Sequence, residues 1–286
     1  MAWSIERRLA FIDFRLYWEG RINRKDLTDF FGISVPQASA DLSNYQEKAP
    51  KNIGYDKSAK FYFATEDFKP VFISSDSSNY LSQLRLISNG VLKEDEAFLG
   101  LMPSFDTIPN PERSVDAEVL RSILKAINND MSLEIEYQSM SRPEPIWRRI
   151  VPHSLSYDGY RWNIRAYCHL RKDFIDFLLA RIIRVKDPKP DETDAATDIL
   201  WHNFIDVKIA PHPEFEESQK KIIERDYGMK NGVGSIRVRA ALWFYLEKRL
   251  GLSEGRESRP PNEQQIVLVN RDEIKRALDT YRTLEA

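Results

Sequence analysis

A chain of 286 residues, 42% of them hydrophobic and 30% charged, is long enough for two or three compact units and too apolar for wholesale disorder. Lys and Arg total 42 against 44 for Asp and Glu, so no global field draws nucleic acid, and any such binding has to come from local placement. No apolar run approaches the ~20 residues of a membrane span. The start, Met1-Ala2-Trp3-Ser4-Ile5-Glu6-Arg7-Arg8, lacks the basic-then-apolar order of a secretory signal, and the lone Cys168 cannot form an internal disulfide; a cytoplasmic protein is expected.

Ile5, Leu9, Ile12 and Leu16 recur at three- and four-residue steps and predict a helix over about 4–17. From 23 to 63 the pattern is that of a winged helix-turn-helix. Asn23 can cap a helix burying Leu27, Phe30 and Phe31, and Gly32 can end it in the left-handed conformation. After the turn Gly32-Ile33-Ser34, Ser34 can cap a second helix that tolerates Pro36 in its first turn. Ala38, Leu42 and Tyr45 would face inward and Gln37, Ser39, Ala40, Ser43 and Asn44 outward, a small uncharged surface suited to a major groove. An ordinary helical hairpin would show the same periodicity. Ile53 and Tyr55, then Phe61 and Phe63, alternate as a two-stranded wing with one apolar side. Lys51, Lys57 and Lys60, with Lys48 ahead of them, cluster where such a wing meets phosphates, although exposed lysines are also ordinary solvated residues.

A helical connector is expected over 67–131, extended around Pro103, Pro109 and Pro111 and ending in a helix over about 115–129 that presents Leu120, Ile123, Leu124 and Ile127. Between 132 and 185 the period becomes two: Leu133, Ile135 and Tyr137; then 147–151, stopped by Pro152; a turn at Tyr157-Asp158-Gly159-Tyr160; then Trp162, Ile164, Ala166 and Cys168; and a longer strand or pair over 174–185. Several short antiparallel strands with tight turns favour a small Sm-like or SH3-like barrel. The proline- and acid-rich stretch 187–198 reads as a linker. Beyond it, strands near 205–209, 235–238 and 265–269 interleave with helices, the last one capped by Asn270, which points to a ferredoxin-like α+β unit. The whole is an α+β multidomain chain: 1–66 DNA-binding, 67–131 connector, 132–190 barrel, 191–286 C-terminal domain.

Chemistry for an enzyme is sparse. His153, His169, His202 and His212 lack metal-ligand spacing, and no phosphate-binding glycine loop occurs, so no metal, cofactor or catalytic residue is assigned. The polar feature that stands out is cationic: Arg148, Arg149, Arg161, Arg165, Arg181 and Arg184 fall on the barrel strands with His153, Tyr137, Ser139 and Tyr167. They can form an anion site, or pair with Glu134, Glu136, Asp173 and Asp176 across the strands.

The segments "IVPHSL", "GYRWNIRAYC" and "DFLLARI" resemble the WYL domain of bacterial transcription regulators, with Asn163 where the motif has its tyrosine, and "ISVPQASADLSNY" is similar to the recognition segment of WYL repressors found beside phage-defence systems of the BREX and CBASS type. Related regulators often carry an arginine where this chain has Ala40. The resemblance spans nearly the whole chain. It implies a homodimeric, ligand-responsive repressor of a defence operon that binds an inverted repeat of double-stranded DNA. It also implies a nucleotide or nucleic-acid ligand on a surface formed by Tyr137, Ser139, Arg149, His153, Trp162, Arg165 and Arg181; Trp162, beside Ile164 and Ala166, could equally be core. DNA contacts would come from Ser34, Gln37, Ser39, Ala40, Ser43, Asn44, Lys51, Lys57 and Lys60. An activator of the same architecture, or a nucleic-acid-processing enzyme using the arginine-lined barrel, are the alternatives.

Overall fold

The computed structural model describes residues 4–109, 111 and 113–285. Met1–Trp3, at the start of the chain, and Asn110 and Glu112, in the proline-rich connector, lie outside them. The chain divides into two compact units, Met1–Asn110 and Pro111–Ala286.

In the first unit, α1 (Ile5–Glu19) starts at Ser4, whose hydroxyl accepts from the Arg7 amide, and stops at Gly20. β1 (Arg21–Ile22) leads into α2 (Arg24–Phe31), which opens on a reciprocal cap: Asn23 Oδ1 accepts from the Asp26 backbone N–H at 3.0 Å and the Asp26 carboxylate from the Asn23 backbone N–H at 2.7 Å. Two of the four orphan donors at the helix start are satisfied in this way. Gly32, at φ +64°, ends α2 in a conformation that costs other residues strain. α3 (Val35–Lys48) follows, with Ser34 as its cap and Pro36 in its first turn. Ala38, Leu42 and Tyr45 are fully buried against Leu9, Ile12 and Leu27.

β2 (Ile53–Asp56) and β3 (Phe61–Ala64) form the wing, and β1 adds to the far side of β3. That third strand is two residues long, too short to carry a period. The register also departs from the expected single apolar side. Ile53 pairs with Ala64 and Tyr55 with Tyr62, whereas Phe63 lies opposite Gly54 and Phe61 opposite Asp56. Tyr62 and Ala64 therefore pack on the core and Phe63 faces out. The Phe63 ring lies over Gly54, where a Cβ would make it move aside. α4 (Ser77–Ser88) buries Leu84 with Phe14, Ala97 and Leu99 in a satellite cluster.

The second unit begins with α5 (Ala117–Asn128), capped by Asp116. Its Val119, Ile123 and Ala126 cover one face of a five-stranded antiparallel sheet. The strands are β4 (Met131–Tyr137), β5 (Ile146–Tyr157), β6 (Trp162–Cys168), β7 (Asp173–Leu178) and β8 (Ile182–Pro190), in the order β7-β6-β5-β4-β8. Two expectations fail here. Pro152 does not stop β5: the strand runs on to Tyr157 through a register shift between Pro152 and Ser154, where a bulge absorbs the missing donor of proline. The supposed linker at 187–198 is partly strand, because β8 continues through Pro188 to Pro190 at the sheet edge, where a ladder donor is not needed.

α6 (Ile199–His202), β9 (Phe204–Pro211), α7 (Glu217–Asp226), β10 (Gly234–Arg239), α8 (Trp243–Arg249), β11 (Ile266–Leu268) and α9 (Arg271–Glu285) complete the chain. β9 lies between β10 and β11, both antiparallel to it, around a core of Ile205, Val207, Ile209, Trp243 and Ile274. The described residues form three strands here, one fewer than the β-α-β-β-α-β pattern of a ferredoxin-like unit. Asn270 stands at the start of α9 and joins it to β9: its side-chain oxygen accepts from the Lys208 amide, and its nitrogen donates to the Asp206 carbonyl at 2.8 Å and to the Glu273 carboxylate in the first turn of α9 at 3.2 Å.

Candidate nucleic-acid interface

On the outer surface of α3, Gln37, Ala40 and Ser43 are exposed and Ser39 and Asn44 half-buried. Ser34 is exposed, and its hydroxyl accepts from the Gln37 amide at 3.3 Å, which makes it a helix cap first. The Ser39 hydroxyl donates to the Val35 carbonyl at 3.0 Å. Lys51, Lys57 and Lys60 are all exposed. The wing tip carrying the last two is shaped by Asp56, whose Oδ1 accepts from the amides of Ala59 and Ser58 at 3.0 and 2.8 Å and from the Ser58 hydroxyl at 2.8 Å. Those bonds favour the charged form and hold the Asp56 carboxyl below its ordinary value. Lys60 sits in the left-handed region at φ +56°.

Two buried carboxylates seat α3 on α1. Asp41 takes the Arg8 guanidinium in a fork, Nε at 2.7 Å and Nη2 at 3.1 Å, and also the Gln37 amide nitrogen at 3.1 Å. Asp13 is fully buried; it accepts from the Tyr45 hydroxyl and from three successive amides, Val71, Phe72 and Ile73, at 2.8, 2.8 and 3.2 Å. Burial, aided by the Asp13 carboxylate, pushes the Tyr45 hydroxyl far above its ordinary pKa. Neither carboxylate was expected. The available signal was an Asp at helical spacing among inward-facing positions, Asp13 between Leu9 and Leu16 and Asp41 between Ala38 and Tyr45, because a buried charge needs a partner within reach.

The seven residues of the expected ligand surface do not converge. Tyr137 lies in the core under α5, its oxygen accepting from the Leu178 amide at 3.2 Å. Arg148, paired in register with Ile135, shares that side and lies 5.7 Å from the Tyr137 ring. Ser139 follows β4 and contacts Ser141. Arg149 is on the other face, bonded to Asp187 at 2.6 Å and near Glu134 at 3.4 Å. Trp162 is half exposed at the start of β6 and packs on Tyr157, so it is not core. Arg181 is half-buried in the short turn between β7 and β8. Of the expected cross-strand partners, Glu136 takes Arg184 at 2.6 Å, whereas Glu134 at 3.4 Å and Asp176 at 3.5 Å are second partners of Arg149 and Arg165.

Tyr137, Ser139 and Arg181 are neighbours along the backbone pairing of β4 with β8, and His153 and Arg165 share a carboxylate, Asp198. This fully buried carboxylate caps α6 through the Trp201 amide at 3.0 Å and receives Arg165 Nε and Nη2 at 2.7 and 2.9 Å and His153 Nε2 at 3.0 Å. Burial pushes its pKa up, but the bonds from His153 and Arg165 and the Arg165 charge together outweigh burial and hold it well below the ordinary range. Arg165 also lies 3.5 Å from Asp176, which accepts from the Tyr245 hydroxyl at 3.0 Å. For Asp176 burial prevails over Arg165 and Tyr245, and its pKa is raised. Asp198 stands in the acidic run that reads as a linker, and the apolar stretch Ile199-Leu200-Trp201 directly after it is the local sign of a helix start.

Comparison with known proteins places these features. The winged helix-turn-helix domain of the BrxR transcriptional regulator matches residues 4–86, the WYL domain residues 118–187, and the C-terminal dimerization domain of the BrxR regulator residues 204–274. The DNA-binding transcriptional repressor CapW of Escherichia coli (strain KTE188) is 43% identical over 95% of this chain and 91% of its own. The chain belongs to the CapW family. The CapW repressors of Stenotrophomonas maltophilia and Pseudomonas aeruginosa are 41% and 43% identical, each over 96% of this chain and 92% and 91% of theirs. Among solved structures, proteasome accessory factor B/C of Arthrobacter aurescens aligns at a TM-score of 0.26 and 14% identity over 98% of this chain and 48% of that one, a level that carries no structural argument. Within the family frame α3 and the wing belong to the winged helix domain, β4–β8 to the WYL domain and β9–β11 to the dimerization domain. Among the described residues no helix is long and apolar enough to cross a membrane.

Proposed function

We propose that this protein is a homodimeric repressor of a phage-defence operon that reads an inverted repeat with α3 and contacts phosphates through Lys51, Lys57 and Lys60. The observation that carries this reading is α3 itself: Gln37, Ser39, Ala40, Ser43 and Asn44 form an uncharged, exposed to half-buried stretch on a helix whose inner side is locked by Tyr45, Asp13, Asp41 and Arg8. A rigid presenting helix is what base readout needs. The CapW relatives are named as DNA-binding repressors, which fixes the direction of the proposed output. Residues 1–66 form the reading head, 67–131 the connector, 132–190 an Sm-like WYL barrel and 191–286 the pairing domain, all in the cytoplasm. Sequencing the DNA that the purified protein retains tests it: an inverted repeat beside its own gene is expected, and retention of fragments without a shared two-fold site would overturn it.

The WYL sheet is proposed to take a nucleotide or nucleic-acid ligand that releases the operator, which requires the ligand to bind one arrangement of the dimer more tightly. Arginine density on β5, β6 and the turn before β8 supports it. Since Arg149 and Arg165 are engaged by carboxylates, Arg181→Ala is the more informative variant. It should leave operator affinity intact and abolish release by the inducing signal in a reporter strain; normal induction would remove Arg181 from the site.

A further inference from the structure

We propose, on the reading of α3 as the recognition helix, that Asp41 is a positioning residue that orients Gln37 to read adenine, with Arg8 holding Asp41 in place. Gln37 is the third residue of α3 and is exposed; in helix-turn-helix proteins the N-terminal residues of the second helix meet the base edges. Asp41 lies one turn further on and is buried. Its Oδ2 accepts from Arg8 Nε at 2.7 Å, and its Oδ1 from Arg8 Nη2 and Gln37 Nε2, both at 3.1 Å.

A carboxylate in a guanidinium fork accepts hydrogen bonds and offers none, so the Gln37 amide must turn its nitrogen toward it. Flipping the amide would lose that bond and set its carbonyl oxygen against the carboxylate. One N–H and the carbonyl oxygen are left for DNA, a donor beside an acceptor in fixed order. Adenine presents N7 as acceptor and its N6 amine as donor, the complement of that pair; guanine presents N7 and O6, two acceptors, and would set O6 against the amide oxygen. A glutamine without the tether could rotate and lose the distinction. The hydroxyls beside it do not duplicate the role, since Ser34 accepts from the Gln37 backbone N–H and Ser39 donates to the Val35 carbonyl.

The test uses the full-length protein and its retained operator, with each base pair of one half-site replaced in turn. One adenine is expected at which guanine weakens wild-type binding about tenfold, and 7-deazaadenine, which lacks the N7 acceptor, should weaken it to a similar degree. Asp41→Asn and the double variant Arg8→Met, Asp41→Leu are then compared; replacing a buried ion pair by apolar residues is often tolerated, so the double variant keeps the measurement available if Asp41→Asn unfolds. In either folded variant the preference for adenine over guanine should fall to about twofold or less, with affinity for the guanine operator unchanged. A merely structural role would weaken both operators alike, and that result overturns the proposal. So does full wild-type affinity for the 7-deazaadenine operator. If Gln37→Ala removes the preference while both Asp41 variants keep it, the positioning role alone falls. If Gln37→Ala leaves every base preference intact, the recognition-helix reading falls with it.

Discussion

At the scale of single residues, the buried carboxylates Asp198 and Asp176 illustrate how position decides the sign of a charge's contribution. Asp198 has a folded pKa below its ordinary value of 3.8. Its contribution to stability is therefore present above that unfolded value and is lost as pH falls through the folded one. Asp176 has the opposite sign: its raised pKa means that burial penalises its ionised form, and lowering the pH relieves that penalty. Asp198→Asn removes the forked partner of Arg165, leaving Asp176 at 3.5 Å as its remaining carboxylate, and should destabilise by up to about 3–5 kcal/mol at pH 7. Asp176→Asn should cost much less, because its amide oxygen can still accept from Tyr245. Urea unfolding of both variants at pH 7 and pH 4 checks the ranking; equal losses at pH 7 would reverse the assignment of Asp198 as the centre of the network. The arginines themselves were visible in the sequence, but their partners were not. Alternation says which strand residues share a face, and it cannot say that a carboxylate 33 residues away, in a stretch read as linker, closes over Arg165.

At the scale of elements, what the chain declares locally is what was legible. The caps at Asn23 and Ser34 and the stop at Gly32 are short-range chemistry, and α2 begins and ends, and α3 begins, where those residues stand. Strand limits depend on what lies alongside, so β5 passed Pro152 and β8 passed Pro188. The wing shows both sides: its existence was readable, but its register was not, since Gly54 accepts the Phe63 ring only because β3 lies where it does. The wing's lysines are separate from base readout in the proposed mode. Lys57→Ala and Lys60→Ala should weaken all sequences alike and reduce the slope of log K against log salt by about one unit each. A salt titration of each variant on operator and on unrelated DNA measures this. Altered base preference with an unchanged slope would remove the wing from the phosphates.

At the scale of the whole molecule, a net charge of −2 leaves DNA binding to locally placed charge, and pairing is the proposed way to multiply it. In the proposed mode one head brings Lys51, Lys57 and Lys60 to phosphates, a small electrostatic footprint against the roughly six to ten phosphate contacts that make binding steeply salt-dependent. Two heads related by the two-fold axis of a dimer double that footprint, and they restrict it to sites whose halves face the same side of the duplex. The domain matched at 204–274, a dimerization domain, supplies the pairing in the proposed arrangement. The consequence is a dependence on helical phase that a single head could not show. Inserting about 5 base pairs between the half-sites turns one of them half a helical turn away and should abolish high-affinity binding. Inserting about 10 base pairs returns it to the same face and should restore part of it, to the extent that the connector can reach. Gel-shift titrations on the three operators, at one stated salt concentration, decide the matter: equal affinity for all three would mean that each head binds alone and that pairing serves something other than DNA reading.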